Sequence, residues 1–262
     1  MDLNDLHIAK IFDSFRPDIV IHHAGHVDVK DSMDRPLADA AANIMGTINL
    51  LEQCKNCNVR KIIYASSAAV YGTPVYLGID ELHPVHPISN YGVSKYTSEM
   101  YIRTFAHNYG LVYTILRYSN VYGYKENMDK DNSVVSAFIY QIFNEEQFRV
   151  NGDGMQTRDF IYVEDVAKAN IAALDRGVNE TINISSNTPT TVLQVKDIIQ
   201  SMAGSKVNTL FAASRQGDID HSFLDNALAR RLLDWRPTYT LEDGLTEVIQ
   251  QYKKNHNINF VV

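Results

Sequence analysis

Tyr91 and Lys95 stand four residues apart in Tyr91-Gly-Val-Ser-Lys95, so on a helix they share one face. A free phenol has a pKa near ~10 and is a poor base at neutral pH. A neighbouring ammonium favours the phenolate and lowers that pKa, which makes a usable general base. The spacing alone reads first as an ordinary surface pair, but its context changes that. Upstream, Tyr64-Ala-Ser-Ser-Ala-Ala-Val-Tyr-Gly72 follows a strand-like run, Lys61–Ala65. Small hydroxyls at the carboxyl end of a strand lie where ligands bind in open α/β sheets. Ser67 there could donate to a substrate oxygen while Tyr91 takes its proton; without the Tyr/Lys pair the same stretch is a Ser/Ala-rich turn.

Such residues need a frame to hold them. At the start of the chain, Asp5 can cap a helix whose apolar residues Leu6, Ile8, Ile11 and Phe12 fall at helical spacing, and Pro17 ends it. Strands read at Asp18–His23, Lys61–Ala65, Val112–Arg117 and Thr181–Ile184. Helices read at Pro36–Lys55, Tyr91–Asn108, Ser133–Phe143, Val163–Asp175, Val192–Met202, Asp225–Leu233 and Leu241–Lys253. This alternation predicts an α/β fold, a doubly wound parallel sheet of Rossmann-like kind. Its ligand would sit beyond the carboxyl ends of the strands. From Val121 the pattern loosens and Asn151-Gly-Asp-Gly154 is turn chemistry. We therefore expect a first domain over 1–120 and a smaller substrate lobe over 121–262, interleaved with the first.

Bulk properties exclude several classes. With 262 residues, 45% of them hydrophobic, the chain can bury a sizeable core. A net charge of -7 argues against nucleic acid as a partner, because neutralising phosphates takes a basic face. No apolar run approaches the ~18 residues of a membrane span. Asp2, Asp5 and Asp13 have the wrong character for a signal or transit peptide, and two cysteines make no disulfide framework. A cytoplasmic protein is the default expectation. Cys54-Lys-Asn-Cys57 closes a helical pattern and lacks a second pair, so it reads as helix-end residues. His22, His23 and His26 lack carboxylate or thiolate partners, and adjacent residues of a strand face opposite ways, so no metal is expected.

Several ordered motifs resemble one family, the extended short-chain dehydrogenase/reductases that act as nucleotide-sugar epimerases and dehydratases. Ile21-His-His-Ala-Gly25 looks like the strand end that passes the cofactor. Asn43-Ile-Met-Gly-Thr-Ile-Asn49 looks like the helix supporting that strand, and Arg117-Tyr-Ser-Asn-Val-Tyr-Gly123 like the stretch joining nicotinamide and sugar sites. Gly152-Asp-Gly-Met-Gln-Thr-Arg-Asp-Phe-Ile-Tyr-Val-Glu-Asp-Val166 is the most specific match; Arg215-Gln-Gly-Asp218 and Leu233-Asp-Trp-Arg-Pro237 complete it. Within the family the likeness is greatest to the UDP-glucose 4-epimerase type. Sugar 4,6-dehydratases carry Thr-Asp-Glu where this chain has Ser67-Ala68-Ala69, and alanines cannot move the protons of an elimination.

The resemblance implies NAD as cofactor and epimerisation at C4 of a UDP-hexose through a 4-keto sugar, with the N-acetyl forms admitted by a small Ser222. Another nucleotide-sugar oxidoreductase, such as a 4-keto reductase or a different epimerase, and a non-catalytic UDP-sugar-binding remnant are the other readings. It implies Ser67, Tyr91 and Lys95 as catalytic. Ala24, Gly25, Asn43, Ala65, Ser66 and Tyr118 would join Tyr91 and Lys95 at the cofactor. Asn120, Val134, Arg158, Arg215 and Asp218 would join Ser67 at the substrate. Arg suits the diphosphate because its fork matches phosphate oxygens; an ion pair of Arg158 with Asp159 or Glu164 is the plain alternative. A homodimer is implied as well.

The family's glycine-rich phosphate turn has no counterpart here: neither G-x-x-G-x-x-G nor G-x-G-x-x-G occurs. Met1–Asp5 aligns just after the family's third strand. The expectation is an N-terminally truncated Rossmann-like domain whose strand Asp18–His23 becomes an open edge. Weak NAD binding, little activity and self-association would then follow for these residues alone.

Overall fold

The computed structural model describes residues 3–5, 7–130, 133–214 and 219–258. In chain order the elements are α1 (His7–Phe15), β1 (Ile19–His22), α2 (Val29–Asp34), α3 (Pro36–Ala40), α4 (Gly46–Asn56), β2 (Lys61–Ser67), α5 (Asn90–Tyr109), β3 (Val112–Tyr118), β4 (Asn120–Tyr122), α6 (Val134–Phe143), β5 (Phe148–Asn151), β6 (Thr157–Tyr162), α7 (Val163–Ala172), β7 (Glu180–Ile184), β8 (Pro189–Thr191), α8 (Val192–Ala203), β9 (Thr209–Ala212), α9 (Ala227–Leu233) and α10 (Leu241–Asn255). The chain divides into two compact units. The first comprises Met1–Tyr118, Ala167–Ile184 and Asp225–Arg236; the second comprises Ser119–Val166, Ser185–Leu224 and Pro237–Val262.

The first unit carries an all-parallel sheet in the order β1-β2-β3-β7. Parallel strands are covered on both faces and read as continuous apolar runs, which is the pattern of β2, buried from Lys61 to Ser66. Ile8 and Phe12 of α1 pack with Leu50, Leu51 and Cys54 of α4, Ile62 and Tyr64 of β2 and Ile102 of α5. Asp5 does cap α1, accepting from the His7 backbone N–H at 3.0 Å. Burial pushes the Cys54 thiol up to about 12, so that sulfur is core material, and Cys57 ends α4. Among the described strands β1 lies at one edge of the sheet, with Ile21 46% exposed.

The helix expected over Pro36–Lys55 is continuous but not uniform. Pro36 opens α3 at a position where its missing N–H costs nothing. Ala41–Met45 then runs as a wider π turn before α4. Such a turn takes in extra chain and re-aims the side chains on it, and π segments recur at functional sites. Asn43 sits in its middle.

The second unit holds a sheet ordered β4-β6-β8, with β4 parallel and β8 antiparallel to β6, and a parallel pair β5-β9. These strands run three to six residues, too short for alternation to declare itself, and the sequence reading omitted them. Phe138, Ile139 and Ile142 of α6, Phe148 of β5, Val195 and Ile199 of α8 and Leu245, Val248 and Tyr252 of α10 form its core. Thr191 with Gln194 and Thr240 with Asp243 make reciprocal capping boxes at the starts of α8 and α10. Among the described residues no helix is long and apolar enough to cross a membrane.

Candidate active site

Three consecutive residues of β2 meet three residues of α5 spaced four apart. Lys95 Nζ donates to the Ala65 carbonyl at 2.9 Å, Ser66 Oγ donates to Glu99 at 2.6 Å, and the Ser67 hydroxyl lies near enough to the Tyr91 phenol to favour its ionised form. The order follows from geometry. Residues four apart line one face of α5, while β2 ends beside it with Ser67 capping the short turn Ala68–Val70, its Oγ accepting from Ala69 N at 3.2 Å. Ser89 caps α5 by accepting from Gly92 N at 3.1 Å, which fixes where the helix starts relative to Tyr91.

Lys95 is buried, and its ammonium lies 5.1 Å from the centre of the Tyr64 ring and 5.9 Å from that of Tyr91. Burial lowers its pKa to about 8, with the Asp39 carboxylate pulling the other way. The sequence argument expected Lys95 to depress the Tyr91 pKa. In the protein by itself burial wins and raises it, with Ser67 opposing and Asp39 reinforcing. A low-dielectric site disfavours phenolate before any neighbour is counted, so Tyr91 rests as a neutral phenol.

Asn43 is the hub that joins β1 to this pair. Its Oδ1 accepts from His26 N at 2.8 Å, and its Nδ2 donates to His26 O, Asp39 and Ser94 Oγ at 3.1, 2.9 and 3.0 Å. The strand end Ala24–Gly25 is exposed, and a side chain at Gly25 would begin 2.4 Å from Asn43 Oδ1. His22 is buried on Thr47, Nε2 to Oγ1 at 2.9 Å, and burial holds its pKa down to about 3; it is a neutral structural ring. At the ends of β1 and β3, His23 and Tyr118 both meet Asn170 of α7, at 3.0 and 3.1 Å.

A dinucleotide fits this set of donors. The Lys95 ammonium spends only one of its three N–H groups among the described residues, on Ala65, and a ribose diol can take the others. Ser66, by contrast, turns its hydroxyl away to Glu99, so any contact it makes with a cofactor falls to its backbone.

The second unit holds the residues expected at the nucleotide sugar. Asn120 opens β4 and is exposed; Val134 opens α6 and packs on the core. Arg158 lies half-buried on β6, its Nη1 donating to Thr157 O at 2.8 Å. Asp159, one of its two expected ion-pair partners, accepts instead from Ser119, Ser186, Asn187 and Leu224; the other, Glu164, accepts from the Tyr239 hydroxyl. Arg215 and Asp218 lie outside the described residues. The buried carboxylates Asp39 and Glu99 escaped the sequence reading. Asp39 and Glu99 were within reach, since each stands four residues from a residue already singled out, Asn43 and Lys95.

Comparison with known proteins gives the family. Residues 1–185 match the profile of the NAD dependent epimerase/dehydratase family. The chain is 30% identical over 254 residues to the UDP-glucose 4-epimerase of Mycolicibacterium smegmatis, covering 96% of this chain and 81% of that one. A crystal structure of UDP-glucose 4-epimerase with UDP-glucose from Thermotoga maritima is 36% identical, with a TM-score of 0.95 over 98% of this chain and 84% of that one. A UDP-N-acetylglucosamine 4-epimerase from Methanobrevibacter ruminantium, in complex with UDP-N-acetylmuramic acid, is 33% identical, with a TM-score of 0.92 over 97% and 82%.

Proposed function

The chain belongs to the NAD dependent epimerase/dehydratase family, as an isomerase resembling UDP-glucose 4-epimerase, and on that premise we propose that it inverts C4 of UDP-glucose and UDP-galactose. The observation that carries the reading is the buried Lys95 ammonium, 5.9 Å from the centre of the Tyr91 ring and bonded to Ala65 of the strand that ends at Ser67. Tyr91 Oη takes the proton of the C4 hydroxyl and later returns it. Ser67 Oγ donates to the same substrate oxygen, holding it at the phenol. Lys95 holds ribose hydroxyls and keeps a positive charge beside the phenol. NAD, when bound, supplies the hydride acceptor and, in its oxidised form, a second positive charge where burial alone keeps Tyr91 protonated. Ala68 and Ala69 have no group to carry a proton, which sets elimination aside.

The sugar has to present both faces to one base, so its anchors belong on the nucleotide, away from C4. Arg158 and Arg215 suit the diphosphate, being permanently charged forks. Asn120 and Asp218 complete the nucleotide-sugar contacts. Incubation of the chain with NAD and UDP-glucose, followed by NMR, tests the proposal. UDP-galactose should appear, and far more slowly with Tyr91→Phe; binding of UDP without turnover would favour a non-catalytic binder. A second substrate reading rests on Ser222, a small, partly buried residue whose N–H donates to Thr157 O at 3.2 Å. A side chain that small would leave an N-acetyl group space, and UDP-N-acetylglucosamine in the same assay decides between the two.

A further inference from the structure

Asp159 is 2% exposed, yet its carboxylate is not paired with the arginine beside it in sequence. Oδ1 accepts from Ser119 Oγ at 3.1 Å and from both the N–H and the hydroxyl of Ser186 at 2.8 Å. Oδ2 accepts from Asn187 N at 3.1 Å and Leu224 N at 3.3 Å. Burial alone would push this carboxyl toward its neutral form, and those donors oppose that shift. Neighbours on a strand face opposite ways, so the half-buried Arg158 and the buried Asp159 serve different faces of β6.

What the carboxylate gathers is specific. Ser119 precedes Asn120, which pairs in register with Phe160, the residue after Asp159. The 219–224 stretch runs beside β6: Thr157 N donates to Asp220 O at 2.9 Å and Ser222 N to Thr157 O at 3.2 Å. The bond from Leu224 N to the Asp159 carboxylate extends that attachment through a side chain. Asn187 is in the left-handed region, φ 59°, a turn whose N–H the carboxylate holds. Asn120, Arg158 and Ser222 are thus all anchored around one buried side chain.

We infer that Asp159 is a positioning residue for nucleotide-sugar binding: its carboxylate sets the spacing of Asn120, Arg158 and Ser222 without touching the ligand. The inference rests on the UDP-sugar reading given above. It separates Asp159 from Asp165, a second buried carboxylate on the same stretch. Asp165 accepts from Thr238 N, Thr238 Oγ1 and Tyr239 N at 2.9, 2.6 and 3.0 Å, on the approach to α10.

The test is a calorimetric titration of the full chain with UDP, with thermal unfolding run alongside. In Asp159→Asn the new amide faces N–H and O–H donors whichever way it turns, so donors oppose donors. UDP affinity should fall about tenfold or more, the loss of one charged hydrogen bond's worth of alignment. Asp165→Asn should lower the melting temperature and leave UDP affinity unchanged. A folded Asp159→Asn that binds UDP as the wild type does overturns the inference. If Asp159→Asn does not fold, Ser119→Ala decides: it should weaken UDP binding while Ser119→Thr, which keeps the hydroxyl, retains it, and equal affinity in both overturns the inference. A wild-type chain that binds no UDP instead defeats the functional reading on which this one stands.

Discussion

Glu99 holds Arg117 in a two-pronged ion pair, 2.9 and 2.7 Å long, in which neither side chain reaches solvent. Burial works against the Arg117 charge, but the bonds and charge of Glu99 more than offset it and raise the pKa. The same carboxylate accepts from Ser66 Oγ, so one buried group ties α5 to both β2 and β3. The turns of α5 that carry Tyr91 and Lys95 are thereby held in register with Ala65 and Ser67. Glu99→Ala would strand the Arg117 guanidinium in the core, and removing one partner of a buried pair costs about 3–5 kcal/mol. Urea unfolding should show that loss in the midpoint; a change below about 1 kcal/mol would place the pair among surface-type bridges.

Tyr91→Phe keeps the ring and removes only the group that moves the proton. The residue is buried, so the fold should survive and UDP affinity should be unaffected. Epimerisation should drop by about 10²–10⁴, the usual contribution of a positioned acid–base group. Ser67→Ala, which removes a donor but not the base, should lose less. Initial rates followed by NMR distinguish the two, and equal losses would mean that Ser67 does more than polarise.

Lys95 gives a pH signature. Its pKa in the folded chain lies near 8, against an ordinary lysine value of 10.5. Between those values the unfolded chain binds more protons than the folded one, so this residue makes stability rise with pH from about 8 to 10.5. Below about pH 8 its buried charge is a constant burden on the order of 3 kcal/mol, from 1.36 kcal/mol per unit. Lys95→Met should therefore be more stable than the wild type at pH 7, and the gap should narrow as pH passes 8. Activity should run the other way in the wild type, falling above about pH 8 as the ammonium is lost. Denaturant midpoints across pH 6–10 check the first statement and rate profiles the second.

Much of the first unit was legible because its signals are long. The four parallel strands are apolar runs, and the Tyr91–Lys95 spacing carries its own chemistry. The second unit was less so, since Asn120–Tyr122 and Pro189–Thr191 are only three residues each and are strands by virtue of their partners alone. The π turn at Asn43 was also invisible, because composition does not distinguish it from the helices on either side. The resting state of Tyr91 was misjudged for a different reason. The sequence shows the nearby cation but not the degree of burial, and burial is the larger effect here.

Gly25→Ala isolates the cofactor side. A Cβ there would lie 2.4 Å from Asn43 Oδ1, well inside contact distance, so Asn43 has to move. That oxygen holds His26 N, while Nδ2 of the same side chain holds Asp39 and Ser94. Ser94 sits between Tyr91 and Lys95, so the displacement passes from the end of β1 to the α5 pair. Breaking part of such a buried network costs about 1–3 kcal/mol, and thermal unfolding should register it. Binding should discriminate more sharply. UDP is assigned to residues of β4, β6 and the segments beside them, and its affinity should stay near that of the wild type. NAD affinity should fall, because Gly25, Asn43 and Lys95 are disturbed together. Parallel titrations with UDP and NAD read out both, and a variant that lost the two ligands equally would show that the clash spreads through the whole fold instead of staying at the end of β1.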